Sequence, residues 1–266
     1  MQQAISQAIS RAISRDGTAI AYVRSGDGPP VILVMGAFND RHTGAPLAAL
    51  LARGFTVLTY DRRGRGDSGD TAPYAVEREI EDLAALIGAA GGSAAVFGFS
   101  SGAILALRAA SRGLSITRLA LYDAPFDVAG DRPPVDHAAR LHELVSAERR
   151  GEAVEYFQTH VVGLPADVVV QMRHAPFRPQ LDEMAHTLVY DMTITGDGSL
   201  PTGLADYVKV PVLVIDGGDS GHASMRGAAR TLAAALPNGR HLVLDDQHHQ
   251  IVPESLGPPL RDFFTV

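Results

Sequence analysis

The sequence predicts an α/β fold built on a doubly wound, mostly parallel sheet, and two observations support this prediction. Short apolar runs alternate along the chain with longer segments that have helical character. Several of the short runs, such as Val31–Val34, are continuously apolar, which is typical of strands buried on both faces of a parallel sheet. Alternation of this kind implies right-handed crossovers between parallel neighbours.

The strand candidates are the short apolar runs. They are Thr18–Arg24, Val31–Met35, Phe55–Tyr60, Ala94–Phe99, Ile116–Tyr122, Val210–Ile215 and Arg240–Leu244. The helix candidates are the longer segments between them. They are Pro46–Ala52, Val76–Ala89, Ser101–Ser111, Ala223–Leu236 and Pro253–Phe264.

The N-terminus carries an Ala-Ile-Ser repeat with a spacing of four residues, starting at Ala4, Ala8 and Ala12. A spacing of four would place the isoleucines along one stripe of a helix. So few copies do not make a repeat fold. We therefore expect a frayed extension ahead of the first strand.

The strand–helix rhythm breaks between about Phe126 and Lys209, where prolines separate helix candidates and no strand is predicted. The helix candidates there are Asp136–Arg150, Glu152–Val162, Ala166–Arg173 and Gln180–Thr195. We predict an α/β core made of residues 1–125 and 210–266, with residues 126–209 as a helical cap. Such a cap would cover the C-terminal edge of the sheet, where open α/β sheets bind ligands.

Composition excludes several classes of function. A net charge of −7, with no cluster of arginines apart from Arg62, Arg63 and Arg65 in a glycine loop, argues against nucleic-acid binding. The chain has no cysteine, which rules out disulfides, thiolate catalysis and cysteine metal sites. No apolar run has the roughly 18 residues of a membrane helix, and no signal-peptide core precedes the fold. We expect a cytoplasmic protein with a small-molecule substrate and leave its oligomeric state open.

A sharp turn is predicted directly after the strand candidate Ala94–Phe99. Residues 98–102 read Gly-Phe-Ser-Ser-Gly, and a helix candidate rich in alanine and leucine follows. This is the context of a nucleophile elbow, in which the turn strains the backbone of the central serine. Side chains at Gly98 or Gly102 would collide with the neighbouring strand or helix. The pattern predicts Ser100 as a nucleophile.

Other local features complete the pattern. They are Met-Gly-Ala at 35–37, the run Asp61–Gly69, and a histidine-containing loop at 245–249 after the last strand. With the elbow, they resemble the α/β-hydrolases, in the branch of capped esterases, cofactor-free haloperoxidases and C–C hydrolases. The resemblance covers the chain from about Thr18. It implies the α/β-hydrolase fold with a helical cap inserted between strands 6 and 7, and no metal or organic cofactor.

Glycines 64, 66 and 69 also match the spacing of a dinucleotide-binding fingerprint, G-x-G-x-x-G. However, no helix candidate begins directly on this loop. The resemblance implies instead that D-x-R-G-x-G-x-S, here at 61–68, is a structural loop beside the active site. We do not expect nucleotide binding.

A serine nucleophile needs a base within hydrogen-bond distance. The resemblance places a histidine in the loop after the last strand, about five residues beyond its last apolar residue. This register selects His249 over its neighbour His248, for which we expect a solvated loop position. It also implies an oxyanion hole formed by the backbone N–H groups of Ala37 and Ser101. Met35 stands where the family usually has a histidine, which changes the wall of the pocket.

The acid that orients the histidine is less clearly marked. The usual position, three residues after Gly217, is occupied by Ser220, and Asp219 lies one residue early. Asp216 lies closer still to the strand end. Some relatives place the acid after the strand that follows the elbow helix, and here that strand ends at Asp123. We favour Asp123 and keep Asp219 as the alternative.

These residues predict a serine hydrolase that cleaves an ester, lactone or related acyl bond through an acyl-enzyme on Ser100. Met and aromatic residues of the cap could line an apolar pocket, although such residues at helical spacing usually form a core. They are Phe157, Met172, Phe177, Met184, Tyr190 and Met192. Alternatives are a cofactor-free perhydrolase, C–C hydrolase or lyase on the same residues, or a degenerate hydrolase that only binds a small ligand.

Overall fold

An eight-stranded sheet forms the centre of the computed structural model, which describes residues 8–127, 135–200, 203, 206–218 and 223–265. The strands are β1 Ser10–Ile13, β2 Ala19–Ser25, β3 Pro30–Val34, β4 Thr56–Tyr60, β5 Ala94–Phe99, β6 Ile116–Tyr122, β7 Val212–Gly217 and β8 Gly239–Leu244. Their order is β1-β2-β4-β3-β5-β6-β7-β8. Strand β2 is antiparallel to β1 and β4, and every pair from β4 to β8 is parallel. The predicted fold class is confirmed.

Helices cover both faces of the sheet. They are α1 Ala45–Leu51, α2 Val76–Ala89, α3 Ser101–Ser111, α4 His137–Ser146, α5 Arg150–Tyr156, α6 Ala166–Met172, α7 Arg178–Glu183, α8 Thr187–Thr195, α9 Ala223–Ala235 and α10 Pro253–Thr265. A π-helical turn, Phe157–Val161, continues α5. The apolar residues of α2, α3 and α9 pack on one face of the sheet, and those of α1 and α10 pack on the other. Every strand from β3 to β7 is therefore covered on both faces, as the continuous apolar runs such as Val31–Val34 predict.

The N-terminal repeat departs from its prediction. Residues Ser10–Ile13 form β1, an edge strand paired with β2 in the register Ala12↔Ile20. The expectation of a frayed extension is wrong for these residues, and residues 1–7 lie outside the described range. Side chains alternate between the two faces of a strand, so residues four apart lie on the same face and adjacent residues lie on opposite faces. Ala12 is accordingly buried, whereas Ile9 and Ile13 are 42% and 63% exposed. Periodicity alone could not separate this strand from a helix.

Helices α4–α8 join β6 to β7, and residues 135–200 are referred to below as the helical segment. The Asp136 carboxylate accepts a hydrogen bond from the Ala139 N–H and caps α4. The predicted helix Gln180–Thr195 is divided into α7 and α8. Together, α4 and α8 enclose a small apolar core of their own with the π-helical turn. The division of the chain into core and cap stays a prediction. Among the described residues, no helix has the length and apolarity needed to cross a bilayer.

The elbow between β5 and α3 depends on close backbone packing. A Cβ atom on Gly102 would lie 2.3 Å from the Val34 carbonyl oxygen in β3, and one on Gly98 would lie 2.6 Å from the Ala103 Cα. Backbone atoms cannot move aside as flexible side-chain ends can. The two glycines therefore let α3 begin directly against the end of β3, which places Ser100 at the C-terminal edge of the sheet.

We expect Gly102→Ala to lower the free energy of unfolding by about 1–3 kcal/mol, because the added methyl group overpacks a rigid backbone contact. The matched control is Gly88→Ala in α2, where a Cβ would meet nothing within 4 Å. That change should raise the free energy of unfolding by about 0.5–1 kcal/mol by restricting the unfolded chain. Urea unfolding curves of both variants measure the difference. Equal stability of the two variants would contradict the packing argument.

Candidate active site

Ser100 lies on a strained turn at the end of β5. Its backbone has φ 56° and ψ −128°, a conformation that is costly for a residue with a side chain. The Ser100 N–H donates to the Tyr122 carbonyl oxygen of β6 at 3.0 Å, which holds the turn against the neighbouring strand. The strained turn lifts the hydroxyl out of the sheet edge, as the elbow pattern predicts.

His249 approaches Ser100 from the loop after β8. Its Nε2 lies 3.2 Å from the Ser100 Oγ, and its ring packs on Phe99 with centroids 4.8 Å apart. The Tyr122 hydroxyl donates to the carbonyl oxygen of His248 at 2.9 Å and anchors this loop. The side chain of His248 is exposed. Of the two adjacent histidines, the structure thus brings the predicted one to the serine.

Asp123 lies at the end of β6, and its Oδ2 is 3.1 Å from the Nδ1 of His249. The side chain is fully buried, and its Oδ1 accepts the Gly217 N–H at 3.0 Å. The Asp123 N–H donates to the Ile215 carbonyl oxygen at 3.0 Å, and φ is 48°. Two contacts with the end of β7 therefore aim the carboxylate at the histidine.

Of the other acids considered for this role, Asp216 pairs with a different histidine. The Oδ1 of Asp216 lies 3.1 Å from the Nε2 of His241 on β8. Burial raises the pKa of the Asp216 carboxyl, although His241 acts in the opposite direction. Asp219 lies outside the described residues. Ser100, His249 and Asp123 are the predicted residues that the structure brings into contact.

The loop after β3 passes directly beside the serine. A Cβ atom on Gly36 would lie 2.7 Å from the Cβ of Ser100, so only glycine fits this approach. Phe38 has φ 59°, another strained residue at this edge of the sheet. Among the described residues, the Ala37 N–H has no acceptor. The Ser101 N–H lies in the first turn of α3, where helices leave N–H groups unsatisfied. Both predicted oxyanion donors lie in segments adjacent to Ser100, and their role stays a prediction.

A buried cluster of four charged side chains lies beneath this loop. The Arg62 guanidinium donates to both oxygens of Glu79 at 2.6 and 2.7 Å and to Asp191 Oδ1 at 2.7 Å. Arg65 donates to Asp191 Oδ2 at 2.7 Å, and the Ser101 hydroxyl donates to Asp191 Oδ1 at 2.6 Å. All four charged side chains are at most 2% exposed. Two cations and two carboxylates make the cluster neutral, which burial requires.

The pKa of the Asp191 carboxyl reflects this balance. Burial acts to raise the pKa, but the charges of Arg65 and Arg62 and the hydrogen bond from Ser101 outweigh it. They hold the pKa of Asp191 below its ordinary value, so the carboxylate stays ionised.

Sequence reasoning did not identify Asp191. One sequence signal could have identified it. Asp191 is an acid in a helix candidate, and the residues three and four positions before and after it are uncharged, namely Leu188, Thr187, Ile194 and Thr195. Such an acid has no partner on its own helix. The arginines at 62 and 65 stand out in a glycine loop, but nothing in the sequence connects them to α8.

The apolar residues of the helical segment have mixed positions. Phe157, Met184 and Met192 are buried, and Phe157 packs edge-on against Phe38 with ring centroids 5.3 Å apart. Tyr190 of α8 stacks on Tyr74, which precedes α2, with centroids 3.8 Å apart. Phe177 is 45% exposed, and Met172 is half-buried. Burial of Phe157 beside Phe38 places apolar surface of this segment next to the loop of Ala37.

Comparisons with known proteins agree with the fold described above. A family model described as the alpha/beta hydrolase family matches residues 20–254. The crystal structure of an alpha/beta hydrolase from Sphaerobacter thermophilus is 54% identical, with a TM-score of 0.90 over 96% of this chain and 100% of that chain. The enol-lactonase of Burkholderia xenovorans shares the fold at 24% identity, with a TM-score of 0.70 over 97% and 100% of the two chains. A putative non-heme bromoperoxidase of Mycobacterium tuberculosis is 25% identical, with 92% of this chain and 97% of its own length covered.

We expect Asp191→Asn to lower the free energy of unfolding by about 3–5 kcal/mol at neutral pH, because buried guanidinium charge loses its compensation. The folded pKa of Asp191 lies below the unfolded value of about 3.9, so its stabilisation is present above that pH. It is lost as the pH falls through the folded pKa. Urea unfolding from neutral to acidic pH should therefore show the gap between wild type and variant shrinking below about pH 4.

The control for this prediction is Glu77→Gln, the same chemical change in a surface ion pair with Arg112 whose side chains are both 58% exposed. It should change the free energy of unfolding by about 0–1 kcal/mol. A gap between wild type and Asp191→Asn that stays constant with pH would be inconsistent with a buried, ionised Asp191.

Proposed function

The chain belongs to the alpha/beta hydrolase family, and on that premise we propose that it is a serine hydrolase of esters, lactones or related acyl compounds. One observation carries the proposal. The imidazole of His249 lies between Ser100 Oγ at 3.2 Å and Asp123 Oδ2 at 3.1 Å. This is the arrangement of nucleophile, base and orienting acid that activates a serine hydroxyl.

The first half of the reaction forms an acyl-enzyme. With its proton on Nδ1, His249 donates to Asp123 and leaves Nε2 free to take the proton of the Ser100 hydroxyl. The oxygen of Ser100 then bonds to the substrate carbonyl carbon. The carbonyl oxygen becomes an oxyanion that accepts hydrogen bonds from the N–H groups of Ala37 and Ser101. The tetrahedral intermediate collapses, and the leaving alcohol takes the proton from His249.

The second half hydrolyses the acyl-enzyme. His249 takes a proton from water, and the oxygen of that water bonds to the acyl carbon. Collapse of the second tetrahedral intermediate breaks the bond to Ser100, whose oxygen recovers the proton from His249. The acid is released. Throughout, Asp123 holds the imidazole in one tautomer and stabilises its positive charge.

An apolar, uncharged acyl group suits the surroundings of this site. Ala37 and Phe38 pack against the buried apolar cluster of the helical segment, which we propose acts as a cap over the sheet edge. The nearby guanidinium groups of Arg62 and Arg65 are already paired with carboxylates and are not available to bind an acidic substrate. A substrate carboxylate would therefore find no free cation among these residues.

A second candidate is perhydrolysis, in which hydrogen peroxide replaces water and converts the same acyl-enzyme to a peracid. The observation that favours it is the similarity to a protein named a putative non-heme bromoperoxidase. Both reactions share the acylation step. Product analysis with an ester in the presence and absence of peroxide separates them.

We expect a fluorophosphonate to add once to the wild-type protein, because attack by an activated serine places a phosphonyl group on Ser100 and releases fluoride. Intact-mass measurement should show this adduct on wild type and not on Ser100→Ala. His249→Ala should react far more slowly, since it removes the base. A folded wild type that remains unlabelled would contradict the proposed function.

We expect Asp123→Asn to lower kcat by up to ~10⁴-fold, because the amide no longer selects the tautomer of His249. Asp219→Asn should leave kcat within a few-fold of wild type. Steady-state hydrolysis of a p-nitrophenyl ester measures both variants, and circular dichroism checks that each is folded. The reverse result would assign the acid to Asp219.

A further inference from the structure

Residues that do not contact Ser100 hold the loop that carries one oxyanion donor. Arg65 Nη1 donates to the Gly36 carbonyl oxygen at 2.5 Å and to that of Asn39 at 3.1 Å. Arg62 Nη1 donates to the Met35 carbonyl oxygen at 3.3 Å. Three carbonyl groups of this short loop therefore accept from buried guanidinium groups. The loop is fixed by charge-assisted hydrogen bonds rather than by secondary structure.

The bond to Gly36 has a direct geometric consequence. The carbonyl of Gly36 and the N–H of Ala37 belong to the same planar peptide group, in which they point in opposite directions when the bond is trans. A guanidinium held on the oxygen therefore fixes the direction of the N–H, which points away from Arg65. The positive charge on the oxygen side also polarises the peptide and strengthens the N–H as a donor.

The same carboxylate serves both halves of the oxyanion hole. Asp191 holds Arg65 at 2.7 Å through Oδ2, and its Oδ1 accepts the hydroxyl of Ser101 at 2.6 Å. Ser101 carries the second backbone donor. Asp191 lies in α8 of the helical segment, whereas Arg65 and Ser101 belong to the α/β core. Asp191 therefore contacts Arg65, which holds the peptide group of the Ala37 N–H, and also Ser101, which carries the second N–H.

We propose that Arg65 and Asp191 are positioning residues that orient and polarise the oxyanion hole, so that the hole is complete only when α8 is docked on the core. This inference rests on the proposed function, since it assigns residues that act through the donors Ala37 and Ser101. It predicts a defect in stabilising the oxyanion while nucleophile, base and ground-state binding remain.

The test uses an apolar trifluoromethyl ketone, 1,1,1-trifluoro-2-octanone labelled with ¹³C at the carbonyl. Ser100 adds to the carbonyl carbon, the serine proton passes to His249, and the carbonyl oxygen becomes the hemiketal oxyanion in the hole. The ¹³C shift of the adduct reports the pH at which this oxygen takes up a proton. Loss of global stability changes the amount of adduct but not that pH.

We expect Arg65→Gln to raise the ionisation pH of the hemiketal by about one to two units, corresponding to a roughly 10- to 100-fold weaker hole. Its kcat on an apolar ester should fall by a similar factor, with KM within about two-fold, as is expected when only transition-state binding is lost. Arg65→Lys keeps a charged donor and should recover part of both losses.

The matched control is Thr187→Val, which removes the 3.2 Å hydrogen bond from Arg65 Nε to Thr187 Oγ1. It leaves the bonds of Arg65 to Gly36 and Asp191 in place, so the hemiketal should ionise at the wild-type pH. Asp191→Asn tests the other member of the pair and should shift the ionisation in the same direction as Arg65→Gln. It also keeps the inference testable if Arg65→Gln does not fold.

The outcomes are distinguishable. A hemiketal that ionises at the wild-type pH in every folded variant of Arg65 and Asp191 would overturn the inference and leave the proposed function intact. A wild-type protein that forms no adduct, and whose spectrum equals that of Ser100→Ala, would overturn both. A shift in Arg65→Gln and Asp191→Asn, absent from Thr187→Val and partly restored in Arg65→Lys, supports the positioning role.

Discussion

The burial of two guanidinium groups beneath the active-site edge is the constraint on which the rest of the arrangement depends. Arg62 and Arg65 are at most 2% exposed, and an unpaired charge in such a place costs many kcal/mol. Glu79 of α2 and Asp191 of α8 supply the compensating carboxylates. Three segments that are distant in the chain are therefore tied together at one point. Displacement of any of them would leave buried charge without a partner.

The loop that carries these arginines is itself built around a buried carboxylate. Asp61 accepts the N–H groups of Arg41 at 2.8 Å and Asp67 at 3.0 Å, and a Cβ on Gly66 would lie 2.4 Å from its Oδ2. The Arg41 side chain also pairs with Asp61. The glycines at 64 and 66 have positive φ and allow the chain to wrap this acid. Their spacing matches a nucleotide fingerprint, but in this fold it allows the loop to close around Asp61.

Parallel strand topology explains why the site forms where it does. The C-terminal ends of the parallel strands β3 to β8 meet at one edge, and the residues of the site lie in or next to the loops that follow them. Ser100 and His249 are 149 residues apart and yet form a 3.2 Å contact, because β5 and β8 end at the same edge. Asp123 is oriented by the end of β7, so the position of the acid depends on the pairing of β6 with β7.

The sequence by itself determined the fold class, the elbow and the histidine. For the elbow the information is local, since Gly98, Ser100 and Gly102 specify a turn from steric fit, whereas the register that selects His249 is implied by the resemblance to the α/β-hydrolases. The sequence did not predict the strand at Ser10–Ile13, because a spacing of four residues fits both a helix and a strand.

Only the tertiary structure decided which residues contact each other across long distances. The sequence offered both Asp123 and Asp219 as the acid, and the direction of the Asp123 carboxylate depends on its backbone φ and on its contact with the end of β7. The role of Asp191 depends on where α8 docks, because a buried charge finds its compensation in space and not along the chain.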